Sequence, residues 1–279
     1  MAASVPWSTS ERGARCLLAA AALASGCCLT SAVYPAPQVE VPRAAPPRAE
    51  LAIPVPGHAT VVGWLDEAPA TPEPAPPAIL FLHGNGQNLA TLAKGHALDR
   101  LHGLPAHVLT IDYPGYGRSA GKPSEAALIA SARSALATLH GRHPRSPLYL
   151  VGWSLGAAVA VQVAAAKAEP GAPTLAGLVL LSPWTSLLDA ADAQFPRWLA
   201  RMFLCDCYDS VAAAAVITTP ALVVHGARDD LVPVEQGRRL AAALPGLRRL
   251  VVVEGARHND LLSFPETWSA LAELIHARR

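Results

Sequence analysis

The stretch LVGWSLGAA at residues 150–158 sets a serine between two glycines, directly after an apolar run and directly before an alanine-rich one. A glycine–x–serine–x–glycine pattern is typical of a sharp turn from a buried strand into a helix, in which the serine hydroxyl stands clear of the sheet edge. Five positions also match by chance. Ser154 is therefore either a nucleophile or a small residue in a tight turn, and the rest of the chain has to distinguish the two.

Short apolar runs alternate with helix-like segments over most of the chain. The runs lie at 78–83, 107–112, 148–151, 178–181, 221–225 and 249–253, and the helix-like segments at 88–102, 124–140, 155–167 and 259–277. This alternation predicts an α/β fold with a mostly parallel central sheet flanked by helices. A cap domain would be inserted after the run at 178–181, and residues 182–217 leave room there for little or no such domain. Sites in such sheets lie at the carboxyl ends of the strands.

A serine hydroxyl is a weak nucleophile unless a base removes its proton, so a catalytic Ser154 requires a histidine and an orienting carboxylate elsewhere. Asp229 follows the run at 221–225, and His258 follows the run at 249–253. Both are predicted on loops just past a strand end, at the same sheet edge as Ser154. The chain order serine, acid, histidine is the order of the α/β-hydrolase fold.

Three other aspartates compete with Asp229 for the role of the acid. Asp230 is its neighbour, and Asp189 and Asp192 follow an earlier predicted strand, a position that some hydrolases use. The latter two fit better as polar residues on a helix face.

Six segments of the chain carry a family resemblance. They read FLHGNGQN at 81–88, DYPGYGRSAGKPSE at 112–125, GWSLG at 152–156, SPWTSL at 182–187, HGARDDLVP at 225–233 and ARHND at 256–260. In these segments the chain resembles the α/β-hydrolase superfamily, and within it the serine hydrolases of the α/β-hydrolase domain 13 and 17 type. The likeness extends over roughly residues 58–277.

The resemblance implies a role for each matching residue. Ser154 would be the nucleophile, Asp229 would hold the tautomer of His258, and His258 would act as general base and then as acid. The backbone N–H groups of Asn85 and Leu155 would form the oxyanion hole. The family register also favours Asp229 over Asp230. The tyrosines of DYPGYGRS either line an acyl pocket or pack within their loop.

These residues predict a serine hydrolase that cleaves carboxylic esters or thioesters of a small-molecule or acyl-bearing substrate through an acyl-enzyme. Apolar residues between 195 and 204 fit the border of a shallow acyl cleft, or a core-packed helix. Two alternatives stay open. One is a serine peptidase or amidase on the same fold, and the other is a non-catalytic binding protein on a hydrolase scaffold.

Composition excludes several other classes of function. The chain has 22 basic and 21 acidic residues, a net charge of +1, so we expect no nucleic-acid partner. It contains no HExxH, no paired CxxC and no P-loop motif, so we predict no metal and no cofactor. Cys205 and Cys207 form either a strained disulfide or two unpaired thiols.

The first 57 residues predict export and membrane attachment. Arg12 and Arg15 precede an apolar run at 16–24 that is too short to span a bilayer, a pattern typical of a secretory signal. The segment LASGC at 23–27 resembles a bacterial lipobox, so we expect a lipoprotein-type signal peptide at 1–26 and a lipid on Cys27. An ordinary export signal or a hydrophobic helix is the alternative. A proline-rich tether at 27–57 would then join the anchor to a hydrolase domain at 58–279, facing the periplasm or cell exterior.

Overall fold

The computed structural model describes residues 33–276, except residues 38, 46, 70–73, 96, 167–172, 193–197, 199–203 and 205. The predicted signal peptide, Cys27 and Cys205 lie outside the described residues. Among the residues that are described, no helix has the length and the hydrophobicity needed to cross a membrane.

Eight strands form one sheet. They are β1 (Ala49–Ile53), β2 (Val61–Asp66), β3 (Ala78–Leu82), β4 (His107–Ile111), β5 (Leu148–Trp153), β6 (Leu175–Leu181), β7 (Ala221–Gly226) and β8 (Leu247–Val253). Their order in the sheet is β1-β2-β4-β3-β5-β6-β7-β8. The strands from β3 to β8 are parallel to one another, whereas β2 is antiparallel to both β1 and β4. The predicted mostly parallel sheet is confirmed.

Helices cover both faces of the sheet. The α-helices that the structure describes are α1 (Leu89–Lys94), α2 (Ala97–His102), α3 (Glu125–Arg142), α4 (Leu155–Ala165), α5 (Leu187–Asp192), α6 (Ser210–Ala214), α7 (Val234–Ala243) and α8 (Pro265–His276). Strand residues alternate between two apolar clusters: Leu80 and Leu82 pack on one side of the sheet, Ile79 and Phe81 on the other. Central strands are therefore buried on both faces, which explains their continuous apolar runs.

The helix expected at 88–102 is divided in two. Asn88 caps α1, because its side chain accepts the Thr91 N–H while the Thr91 hydroxyl accepts the Asn88 N–H. Gly95 ends α1, with its N–H directed at the carbonyls of Thr91 and Leu92. Apolar residues keep the helical spacing across the end of α1 and the start of α2, so the sequence pattern alone did not indicate two helices.

The structure corrects the tether predicted at 27–57 and the domain boundary at 58. Ala49–Ile53 is the edge strand β1, paired with β2 in register from Ala49 opposite Leu65. Before it, Tyr34 and Val41 are each only 3% exposed and belong to the two apolar clusters. Proline-rich composition favours a free, extended tether, but this segment places Tyr34 and Val41 in the core of the domain. We call the described residues of 33–41 the N-terminal strap.

Candidate active site

Ser154 occupies the turn between β5 and α4. Its φ is +54°, a left-handed conformation that is rare for a residue with a side chain. The Ser154 N–H donates to the Leu181 carbonyl at 2.9 Å, which ties the turn to the next strand. A Cβ on Gly152 would overlap the carbonyl of Gly156, and one on Gly156 would overlap that of Leu82. Both glycines are therefore required by close backbone contacts.

The structure brings together the three residues that the sequence selected. His258 Nε2 lies 2.9 Å from Ser154 Oγ, and His258 Nδ1 lies 2.8 Å from Asp229 Oδ2. All three residues are buried, with between 6% and 8% of their surface exposed. Chemically, this line of contacts can take a proton from the serine hydroxyl and stabilise the charge that the imidazole then gains.

The loop after β7 holds Asp229 in its charged form. Burial raises the pKa of Asp229, but hydrogen bonds to His225, to His258 and to the Val232 N–H outweigh burial and keep that pKa well below its usual range. One carboxylate oxygen accepts the N–H groups of Val232 at 2.7 Å and Leu231 at 3.1 Å. The other oxygen is thus left for the histidines.

His225 supports this loop from the strand end. Its Nε2 lies 2.8 Å from the Val232 carbonyl and 3.2 Å from Asp229 Oδ2. The ring is fully buried, and it packs so closely on Gly237 that a Cβ there would overlap it. The apolar run at 221–225 places His225 at a strand end, but it gives no indication that the partners of this ring would be in the loop of Asp229.

The competing aspartates lie elsewhere. The Asp230 side chain is 67% exposed and faces Arg257 at 4.0 Å. Asp189, on α5 with Asp192, accepts the Thr185 hydroxyl at 2.7 Å. None of the three is a hydrogen-bond partner of His258, so Asp229 is the carboxylate of the site.

Backbone N–H groups near Ser154 that have no acceptor among the described residues include those of Leu155, the first residue of α4, and of Asn85, in the loop after β3. The amides on either side of Asn85 are already used, because Gly84 N–H donates to Gln87 Oε1 at 3.0 Å and Gly86 N–H to Asn85 Oδ1 at 3.1 Å. The N–H groups of Leu155 and Asn85 are the two that the resemblance implied for an oxyanion hole.

The loop that carries Asn85 rests on two tyrosines. Tyr113 donates its hydroxyl to the His83 carbonyl at 3.1 Å, and Tyr116 donates to Asn85 Oδ1 at 2.7 Å. Both tyrosines are fully buried, so they pack within their loop rather than line an open acyl pocket. Burial lowers the pKa of His83 to about 4, and this ring is therefore neutral at neutral pH.

The N-terminal strap also reaches this loop, which sequence reasoning missed. Asn85 Nδ2 donates to the carbonyl of Val33 at 2.6 Å. A backbone carbonyl has no side-chain signature, and 52 positions separate the two residues, so no local pattern could have indicated the contact.

One group of described side chains has a donor set suited to a metal ion. Ligand atoms of Glu67, His107 and His143 lie within 4.8 Å of one another. They belong to the opposite edge of the sheet, where β4 begins, and His107 and His143 are stacked with ring centroids 3.6 Å apart. Both rings contact Glu67 Oε2, at 2.6 Å and 3.2 Å, so these groups already partner one another away from Ser154.

The second cysteine of the predicted pair is described. Cys207 is exposed and its thiol is free. Cys205 lies outside the described residues.

Comparisons with known proteins identify relatives of this chain. An uncharacterized protein of Mycobacterium tuberculosis is 40% identical over 200 residues, 71% of this chain and 68% of that protein. Mouse alpha/beta hydrolase domain-containing protein 17C is 30% identical over 199 residues, 71% of this chain and 59% of the mouse protein.

An esterase from Pyrococcus furiosus has the same fold, with a TM-score of 0.68 at 20% identity, over 87% of this chain and 96% of the esterase. A family model described as the alpha/beta hydrolase fold matches residues 77–206. Together with the sheet order and the turn at Ser154, these likenesses show that the chain belongs to the α/β-hydrolase superfamily.

Proposed function

We propose that the protein is a serine hydrolase that cleaves carboxylic ester or thioester bonds through an acyl-enzyme. The observation that carries the proposal is the continuous contact from Asp229 through His258 to Ser154, at 2.8 Å and 2.9 Å. An exposed serine alone would be a poor nucleophile, but one that contacts a carboxylate-oriented imidazole can be deprotonated as it attacks.

In the first half of the reaction, Ser154 Oγ attacks the acyl carbon while its proton passes to His258 Nε2. The carbonyl oxygen of the substrate becomes an oxyanion, which the N–H groups of Leu155 and Asn85 stabilise. The C–O or C–S bond to the leaving group then breaks. His258 returns the proton to the departing oxygen or sulfur, and the acyl group stays on Ser154.

In the second half, water takes the place of the leaving group. His258 accepts a proton from water as its oxygen attacks the acyl carbon, and a second oxyanion forms at the same two amides. When the bond to Ser154 breaks, His258 gives the proton back to Oγ. The products are a carboxylic acid and the free enzyme.

Labelling with a fluorophosphonate probe tests the nucleophile. We expect wild-type protein to be labelled on Ser154 and the Ser154→Ala variant to be unlabelled. A well-folded wild-type sample that takes no label would contradict the proposal and favour a binding protein on a hydrolase scaffold.

Substrate preference requires a separate measurement. We expect p-nitrophenyl esters of increasing acyl length, and the matching thioesters, to be hydrolysed much faster than aminoacyl p-nitroanilides. Faster cleavage of the anilides would instead identify a peptidase or amidase.

We also propose that Cys27 carries a lipid and that the protein is exported and held at a membrane facing the periplasm or cell exterior. The support is the order of charged, apolar and small residues before Cys27. Mass spectrometry of the N-terminal peptide should find an acylated Cys27, and Cys27→Ala should move the protein from the membrane to the soluble fraction. An intact N-terminus, or one cleaved elsewhere without acyl groups, would contradict this proposal.

A further inference from the structure

The N-terminal strap bonds to two residues of the segment that follows β3. The Val33 carbonyl accepts from Asn85 Nδ2 at 2.6 Å, and the Val39 carbonyl accepts from Asn88 Nδ2 at 3.0 Å. Asn85 carries the proposed second oxyanion donor, and Asn88 caps the helix after it. The strap is therefore in direct contact with the catalytic edge of the sheet.

Tyr34 fixes the strap on its other side. The residue is only 3% exposed, its hydroxyl donates to the Asp206 carboxylate, and the same oxygen lies 3.1 Å from the Tyr208 hydroxyl. The backbone around Tyr208 is itself held, because the Tyr208 N–H donates to Glu125 Oε2 at 3.1 Å. The connection from Val33 to the body of the domain thus runs through a buried, hydrogen-bonded side chain.

The Asn85 side chain is held from two directions. Its Nδ2 donates to Val33 of the strap, and its Oδ1 accepts the Tyr116 hydroxyl at 2.7 Å. Tyr116 is fully buried and packs against His83, with ring centroids 5.7 Å apart. Because both polar atoms of the Asn85 side chain are hydrogen-bonded, the side chain restricts the position of its own Cα. It thereby restricts the direction of the Asn85 backbone N–H.

We propose that the N-terminal strap and Tyr116 are positioning elements of the oxyanion hole, acting on the Asn85 N–H through the Asn85 side chain. The inference rests on the proposed hydrolase function. A donor that already points at the position of the developing oxyanion needs no reorganisation during the reaction, and this is the main source of its catalytic effect. Residues 33–41, far from Ser154 in sequence, are on this view part of the active site.

A role in packing alone would have different consequences. Val41 is buried in the same apolar cluster as Trp64, so the strap contributes to the core. If that were its whole contribution, weakening the strap would lower the melting temperature and leave the turnover of the folded enzyme unchanged. The split between kcat and KM distinguishes the two roles, because oxyanion contacts form only in the transition state.

The test compares three tyrosine-to-phenylalanine variants with an activated ester as substrate. Tyr34→Phe releases the strap, and Tyr116→Phe removes the bond to Asn85 Oδ1. Tyr149→Phe is the matched control, since it loses a buried hydroxyl bond to the Ile275 carbonyl at 3.2 Å on the other face of the sheet. We expect the first two to lower kcat by about tenfold at unchanged KM, less than the roughly 100-fold cost of losing a whole oxyanion donor. The control should keep the wild-type kcat.

The two tyrosine substitutions are then repeated in the Asn85→Ala variant, which lacks the side chain but keeps the backbone N–H. If both tyrosines act through that side chain, neither substitution lowers kcat further in Asn85→Ala protein. Hydrogen exchange should also be faster at residues 84–88 in Tyr34→Phe than in Tyr149→Phe. Fully additive losses of kcat, or a wild-type kcat in Tyr34→Phe, would overturn the inference.

The outcome separates this inference from the proposed function. A wild-type protein that labels with fluorophosphonate and turns over esters, with unaffected tyrosine variants, overturns the positioning role alone. A wild-type protein that neither labels nor turns over overturns both.

Discussion

Asp229 and Asp230 are neighbours in the chain, yet only the carboxylate of Asp229 contacts His258, at 2.8 Å, while that of Asp230 faces Arg257. Asp229→Asn should therefore lower kcat by about 10,000-fold, because an amide side chain favours the wrong tautomer of His258 and does not stabilise the imidazolium. Asp230→Asn is the matched control and should keep the wild-type kcat. Steady-state ester hydrolysis checks both, and a large loss in Asp230→Asn with an active Asp229→Asn would reverse the assignment.

The two glycines Gly156 and Gly141 both lie in helices, but only one has room for a methyl group. A Cβ on Gly156 would overlap the Leu82 carbonyl, whereas a Cβ on Gly141 would have no atom within 4 Å. Gly156→Ala should lower the free energy of unfolding by about 1–3 kcal/mol through overpacking. Gly141→Ala should raise it by about 0.5–1 kcal/mol, because alanine loses less backbone entropy. Urea denaturation measures both, and equal signs would contradict the prediction.

Buried Asp112 should make stability depend on pH. Burial raises the pKa of Asp112 to about 6, even though the N–H groups of Leu89 and Arg118 lower it in part. The folded state then binds more protons than the unfolded state between about pH 4 and pH 6, so this group's contribution to the free energy of unfolding falls as the pH rises through that window.

Asp112→Asn should remove that part of the pH dependence, since an amide does not titrate there. We expect the ratio of unfolding midpoints at pH 4.5 and pH 7 to be higher for wild type than for the variant. A variant with the same pH dependence as wild type would show that Asp112 is not the cause.

His225 holds the loop of Asp229 through contacts at 2.8 Å to the Val232 carbonyl and 3.2 Å to the carboxylate. His225→Phe keeps a ring beside Gly237 but removes both contacts. We expect kcat to fall by about tenfold at unchanged KM, because the Asp229 carboxylate loses a bonded neighbour and its fixed direction. An unchanged kcat would assign His225 to packing alone.

The positions of Ser154, Asp229 and His258 could be predicted because each has a local signature. Ser154 lies between two glycines at a strand end, and Asp229 and His258 each follow an apolar strand, so the parallel sheet places them on one edge. The residues that hold Asn85 in place have no such local signature. The bond from Asn85 to Val33 uses a main-chain carbonyl, and the bond to Tyr116 joins two loops that only the folded sheet brings together.

Composition misled the prediction at the N-terminal side for a physical reason. Proline restricts the backbone in the same way in a free tether and in a segment packed on a domain. Only buried apolar side chains distinguish the two, and here Tyr34 and Val41 are isolated among prolines. In the edge strand β1 only Ile53 is fully buried, so this strand lacks the continuous apolar run of the central strands.

If Cys27 carries the proposed lipid, the docked strap shortens the distance between Ser154 and the bilayer. Under the proposed lipid on Cys27, residues 28–32 alone separate the lipid from Val33, and this stretch spans at most about 20 Å when fully extended. A free tether to residue 58 would have reached several times farther. The oxyanion loop would thus stay close to the headgroups. The acyl chain of a membrane-bound substrate would then leave the bilayer over a short path. Few of its methylene groups would be exposed to water, each at a cost of about 0.8 kcal/mol. Enzyme and substrate would then meet by lateral diffusion in one surface instead of by collision from solution.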